Sequence, residues 1–196
     1  MNIDDEKKPE VAEVGVQSPV VATNEVPMAE KQAAGVLLEA EVGKEEEKVR
    51  EALEKRFLLL AEDDPRLGSI LDEFKSAGGE QMAWAETLDG VKKETDNFIS
   101  RVENGELDQT ILTMIADMEY PETDAGGGGS NGIEGVRYVR DAVDRYNLAH
   151  PDKPLQVEII LNTTSSDTPG GHIDAVCRDK KGAIKTLLEL VKKQSK

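Results

Sequence analysis

The sequence predicts an α/β protein built on a doubly wound parallel sheet, and three observations carry that prediction. Largely apolar runs recur, FLLLA from Phe57, TILTMIA from Thr110 and LQVEIIL from Leu155, as buried parallel strands require. Amphipathic stretches of helical period separate them. Acidic or polar residues stand where the runs end, and doubly wound sheets gather their chemistry just beyond the carboxyl ends of their strands.

Residues 1 to about 27 mix Val, Pro, Glu, Ala and Ser without a sustained period, so a disordered acidic tail is expected there. Residues 28–55 are rich in helix formers, and Leu38, Val42, Val49 and Leu53 give a broken apolar stripe. A charged, solvated helix or linker is expected; Gly43 and the EEEK run interrupt any heptad. From residue 56 to 196 strands and helices alternate. After the Phe57–Ala61 run, Asp64 is placed to cap a helix with Pro65 at its first position, and Leu67, Ile70, Leu71 and Phe74 form its stripe. A second strand is expected at Gln81–Ala85. The helix behind it turns Val91, Phe98 and Val102 inward. The third strand ends at Asp117. A helix entered at Asn131 carries Ile133, Val136, Val139, Val143 and Tyr146. LQVEIIL is the fourth strand and HIDAVC the fifth, and Ile184, Leu187, Leu188 and Val191 stripe the last helix.

Bulk composition narrows the function. With 24 basic against 40 acidic residues, a formal charge of -16 argues against direct binding to nucleic-acid phosphates. Cys177 is the single cysteine, so no internal disulfide forms, and it reads as a small core residue of the fifth strand. The start MNIDDEKKPE lacks the basic and apolar parts of a signal peptide. No apolar run approaches the roughly 20 residues that span a bilayer. A cytoplasmic protein without membrane contact is expected.

The strand ends then supply Glu62 and Asp63 after the first strand, Asp117 after the third, Asn162, Thr163 and Thr164 after the fourth, and Arg178, Lys180 and Lys181 after the fifth. Crowded carboxylates raise one another's pKa unless a cation neutralises them. Mg²⁺, a hard ion that takes oxygen ligands, is the natural counter-charge. His172 has no partner in sequence that would make it a ligand.

On LLLAEDDP, ADMEYP with the later NGIEGVRYVR, IILNTT and DKKGAIKTLLELV, the stretch from about Arg56 to Lys193 resembles the receiver domains of two-component response regulators, the CheY-like superfamily. The resemblance implies a flavodoxin-like five-stranded parallel sheet of order 2-1-3-4-5. It also implies Mg²⁺-dependent phosphorylation of a strand-end aspartate by a histidine kinase or phosphotransfer protein. Position by position, Asp117 matches the phosphoacceptor, and Glu62 and Asp63 match the acid pair that helps to hold Mg²⁺. The main-chain carbonyl of Glu119 matches the remaining metal ligand. Thr163 matches the hydroxyl that binds a phosphoryl oxygen, with Asn162 as the alternative occupant of that position. Lys180 matches the phosphate-binding cation, ahead of Arg178 and Lys181.

The sequence departs from the family pattern in four places. ETDAGGGGSNG lengthens the connection after Asp117, Thr164 to His172 is too short for a full helix between the fourth and fifth strands, the lysine lies in RDKKG rather than before a proline, and Val176 or Cys177 stands where an aromatic switch residue is usual. A stand-alone phosphoacceptor signalling protein is the expectation, and a pseudo-receiver that binds partners without phosphorylation is the alternative. A haloacid-type phosphatase ranks third, since Glu119 breaks the Asp-x-Asp pair such enzymes carry.

Overall fold

Arg56 to Ala61 are six consecutive buried residues, and they form the strand against which two others are laid. The structure, a computed structural model, describes residues 43–123, 131–163, 173–179 and 182–194. All of them fall within one compact unit, Ala40–Lys196. A helix over 43–54, α1, comes first. It is followed by β1 (Arg56–Ala61), a 3-10 turn (Pro65–Leu67), α2 (Ser69–Ser76), β2 (Gln81–Ala85), α3 (Leu88–Glu103) and β3 (Ile111–Ala116). The chain continues through α4 (Gly132–Ala149), β4 (Gln156–Asn162), β5 (Ala175–Cys177) and α5 (Ala183–Gln194). The strands form one sheet in the order β2-β1-β3-β4-β5, and every neighbouring pair is parallel. This is the doubly wound, flavodoxin-like order.

Register explains how continuous apolar strands fill two cores. Leu59, Met114 and Ile159 are level across the sheet, and so, one residue further, are Leu60, Ile115 and Ile160. Successive side chains leave a strand on opposite faces. The first row accordingly joins the cluster with Val91 and Phe98 of α3 and Val136, Val139 and Val143 of α4. The second joins the cluster with Ile70 and Phe74 of α2 and Ile184, Leu187 and Val191 of α5. Burying rows of Leu and Ile on both faces contributes about 25 cal/mol per Å² of apolar surface removed from water, which is what holds so charged a chain compact.

Three local outcomes differ from expectation. The helix after β1 is split. Asp64 Oδ1 accepts from the N–H of Arg66, closing a 3-10 turn that begins with Pro65, and α2 starts only after Gly68, leaving Leu71 partly buried. β5 is three residues long, shorter than HIDAVC. The third difference lies in α1, which is not wholly solvated: Leu53 is fully buried, and Val49 and Ala52 pack against the same cluster as α2 and α5.

A buried polar knot fixes that end of the sheet. Arg56 donates through Nε and Nη2 to the two carboxylate oxygens of Glu158, at 3.0 and 2.8 Å. Thr113 Oγ1 and Gln194 Nε2 donate to the same carboxylate at 3.0 Å. Arg56 also donates to Gln194 Oε1 and to the carbonyl of Ala52. One fork-to-carboxylate pair therefore joins α1, β1, β3, β4 and α5, with its lone pairs satisfied as burial demands.

No described helix is long and apolar enough to cross a membrane. The tail expected over residues 1–27, the glycine tract 126–129 and the connection 164–172 lie outside the described residues.

Candidate phosphoacceptor site

The ladders continue one residue past the strands. Glu62 N–H donates to Ala85 O at 3.0 Å, Asp117 N–H to Ala61 O at 2.9 Å, and Thr163 N–H to Cys177 O at 3.0 Å. Ala61, Ala116 and Leu161 are level, so the next residues, Glu62, Asp117 and Asn162, are level too, and Asn162 is level with Cys177. A strand ladder thus sets acids from separate parts of the chain side by side, with no loop needed to gather them.

The outcome is one cluster of oxygen donors. Carboxylate oxygens of Glu62, Asp63 and Asp117 lie within 4.8 Å of one another; Glu62 and Asp117 are buried and Asp63 is exposed. Among the described residues no other His, Cys, Asp or Glu group converges in this way. Like charges at such a distance oppose each other's ionisation unless a cation shares them. The donor set is all oxygen, with two buried carboxylates and one open to solvent, which suits a hard ion that keeps part of its water shell. Mg²⁺ fits.

The surroundings fix these side chains. Glu62 Oε1 accepts from Asp64 N–H at 3.2 Å, and Asp117 Oδ1 accepts from Met118 N–H at 2.6 Å. The indole Nε1 of Trp84 donates to the main-chain carbonyl of Glu62 at 2.5 Å, clamping the end of β1 to the end of β2. On the other side, Gly132 N–H donates to Met118 O at 3.1 Å. A Cβ on Gly132 would overlap the carbonyl of Asp117 and the Cα of Met118, so only glycine lets α4 start this close to Asp117. Asn131, the expected entry to α4, makes no side-chain cap; its Nδ2 donates to Tyr120 O at 2.8 Å and ties the helix entry to the segment after β3.

Tyr120, three residues beyond Asp117, buries its hydroxyl against Gly135. Among the described residues that hydroxyl has no hydrogen-bond partner. Burial first, and then the nearby Asp117 and Glu134 carboxylates, hold its pKa far above the ordinary phenol value, so it stays protonated.

Asn162, named with Thr163 for the position at the end of β4, is fully buried and level with Asp117, and Thr163 is the next residue, also buried. Glu119 is exposed, two residues past Asp117. Arg178 is exposed just after β5, while Thr164, His172, Lys180 and Lys181 lie outside the described residues. Sequence inspection did not find the roles of Trp84, Gly132 or Tyr120. Trp84 had one available signal, as the single tryptophan of a chain with seven aromatic residues in all, set one residue before the end of an expected strand.

No protein-family model matches the sequence, and no curated protein matches it. Solved structures do. A point mutant of the receiver domain of the histidine kinase CKI1 from Arabidopsis thaliana is 19% identical with a TM-score of 0.49, covering 72% of this chain and 89% of that one. The same receiver domain complexed with Mg²⁺ is 18% identical with a TM-score of 0.48, covering 70% and 90%. Its complex with Mg²⁺ and BeF₃⁻ is 19% identical with a TM-score of 0.48, covering 72% and 90%.

Proposed function

We propose that this chain is a receiver-like signalling domain that takes a phosphoryl group on Asp117 from a phosphohistidine of a kinase or phosphotransfer protein. The observation that carries the reading is the convergence of Glu62, Asp63 and Asp117 at the carboxyl ends of β1 and β3. Order of the acids along the chain and the strand order of the sheet agree with it.

The chemistry asked of the residues is modest. A carboxylate oxygen of Asp117 attacks phosphorus; the new O–P bond forms as the N–P bond breaks, and the leaving imidazole keeps the electron pair and takes up a proton. Positioning and charge neutralisation supply most of the catalysis in phosphoryl transfer. Glu62 and Asp63 would hold Mg²⁺ together with Asp117 and the carbonyl of Glu119, and the ion when bound neutralises phosphoryl oxygens. Thr163, with Asn162 beside it level with Asp117, is assigned to bind a phosphoryl oxygen at the end of β4. Lys180 is assigned the balancing cation. Added charge at Asp117 is of the kind that orders or releases a neighbouring segment.

Incubation with Mg²⁺ and acetyl phosphate, read by mass spectrometry, should add one phosphoryl group, and beryllofluoride should bind under the same conditions. Asp117→Asn should take up neither while melting as a folded protein. If the wild-type chain takes up neither at saturating Mg²⁺, the phosphoacceptor reading fails and a phosphorylation-independent binding module replaces it.

A further inference from the structure

Glu62 and Asp63 are consecutive, so the peptide between them decides where both carboxylates point. β2 ends at Ala85, whose carbonyl still takes the N–H of Glu62 at 3.0 Å. The carbonyl of Glu62 is held in turn by a side chain, Trp84 Nε1 donating to it at 2.5 Å. A peptide unit is planar, so fixing its carbonyl fixes the plane that leads into Asp63. Beyond it, Asp64 N–H donates to Glu62 Oε1 at 3.2 Å, and Asp64 Oδ1 accepts from Arg66 N–H at 3.0 Å. The acid pair is thus anchored from β2 through an indole and from the following turn through main-chain amides.

The seat of that indole is specific. Trp84 is level with Leu60 and packs on the α2 and α5 face of the sheet. Its six-membered ring meets Gly68, where an added Cβ would come within 3.1 Å of Cζ3 and 3.4 Å of Cη2. Gly68 has φ -55° and ψ -25°, right-handed values open to any residue, so its backbone does not require glycine. It also gives α2 no side-chain cap, at a position where Ser, Thr or Asp is favoured. What the glycine supplies is room for the ring. We infer that Trp84 is a positioning residue for the metal, holding the Glu62–Asp63 peptide in one orientation and so disposing the cluster toward Mg²⁺ over Ca²⁺. This rests on the reading of Glu62, Asp63 and Asp117 as the metal site. Mg²⁺ demands near-octahedral geometry at about 2.0–2.1 Å, whereas Ca²⁺ accepts roughly 6–8 oxygens in a looser arrangement. A pair of acids held rigidly favours the first ion, and loosening it costs the second little.

Trp84→Phe keeps a ring but removes the donor and the two atoms that touch Gly68. Titration calorimetry of the full chain with magnesium chloride and, separately, calcium chloride should show about a tenfold loss of Mg²⁺ affinity, the scale on which partners that orient metal ligands act, and a Ca²⁺ affinity within about twofold of wild type. Leu53→Ala, which weakens the fold from before the opposite end of β1, should leave both affinities unchanged. Gly68→Ala presses the indole from its seat and decides the matter if Trp84→Phe does not fold. It should weaken Mg²⁺ selectively, and it should add nothing in the Trp84→Phe background, where the ring atoms it meets are gone. Equal losses for the two ions, or Mg²⁺ bound by both variants as tightly as by the wild type, would overturn the positioning role and leave the metal site standing. A wild-type chain that binds no Mg²⁺ would remove the metal site, and this inference with it.

Discussion

At the residue scale, Tyr120, in the segment after Asp117, and Gly135 of α4 act as one packing unit. The tyrosine buries a hydroxyl that gains no partner among the described residues, at the expense of the hydrogen bond it would make to water. Tyr120→Phe should therefore leave stability unchanged or raise it by up to about 1 kcal/mol in urea unfolding. Gly135→Ala should cost about 1–3 kcal/mol, because its Cβ would overlap that hydroxyl, and much of the loss should disappear in the Tyr120→Phe background. An additive double variant would contradict this packing. Trp84 provides a second residue-level test. It is the only tryptophan and it bonds the carbonyl of a proposed metal-binding residue, so Mg²⁺ should shift its emission saturably, and Asp63→Ala should abolish the shift.

At the element scale, α1 belongs to the fold. Leu53 has no exposed surface and packs with α2 and α5, so Leu53→Ala should cost about 2–5 kcal/mol, in the range of other buried leucine truncations. The Arg56–Glu158 knot makes a sharper prediction. Arg56→Ala removes the cation from a buried carboxylate, a change that costs about 3–5 kcal/mol. Thr113 and Gln194 still donate to Glu158, which puts the expected loss at the lower end of that range. Chemical denaturation of the two variants checks both figures, and a loss under about 1 kcal/mol for Leu53→Ala would show α1 to be an appendage.

At the scale of the whole molecule, the charge of -16 sets how salt acts. Self-repulsion among surface acids is screened at a Debye length of about 8 Å at 0.15 M ionic strength, so sodium chloride should raise the melting temperature modestly. Magnesium should raise it further at matched ionic strength, because an ion that binds only the folded cluster stabilises by RT ln(1 + [L]/Kd), about 2.7 kcal/mol at a hundredfold excess over Kd. Asp63→Ala should lose the magnesium-specific increment and keep the sodium effect. Equal shifts with the two salts in the wild-type chain would remove the metal site from the account.

Fold class and the membership of the acid cluster were already legible in the order of residues. Both are local signals: FLLLA and TILTMIA are too short and too apolar for anything but buried strands, and chain continuity puts Glu62, Asp63 and Asp117 at the ends of those strands. Parallel pairing then aligns strand ends automatically, which is why the three acids could be named together before any contact was known. Tertiary structure settled the features that depend on register and on space. Whether Asn162 or Thr163 stands level with Asp117 turns on a one-residue alignment of β4 with β3, and that is not written in either strand alone. Gly132 and Gly135 are ordinary helix-entry glycines until a carbonyl and a hydroxyl are packed against them. Arg56 and Glu158 are 102 residues apart and each reads as an exposed charge, and only the closing of the sheet under α1 and α5 makes them a buried pair.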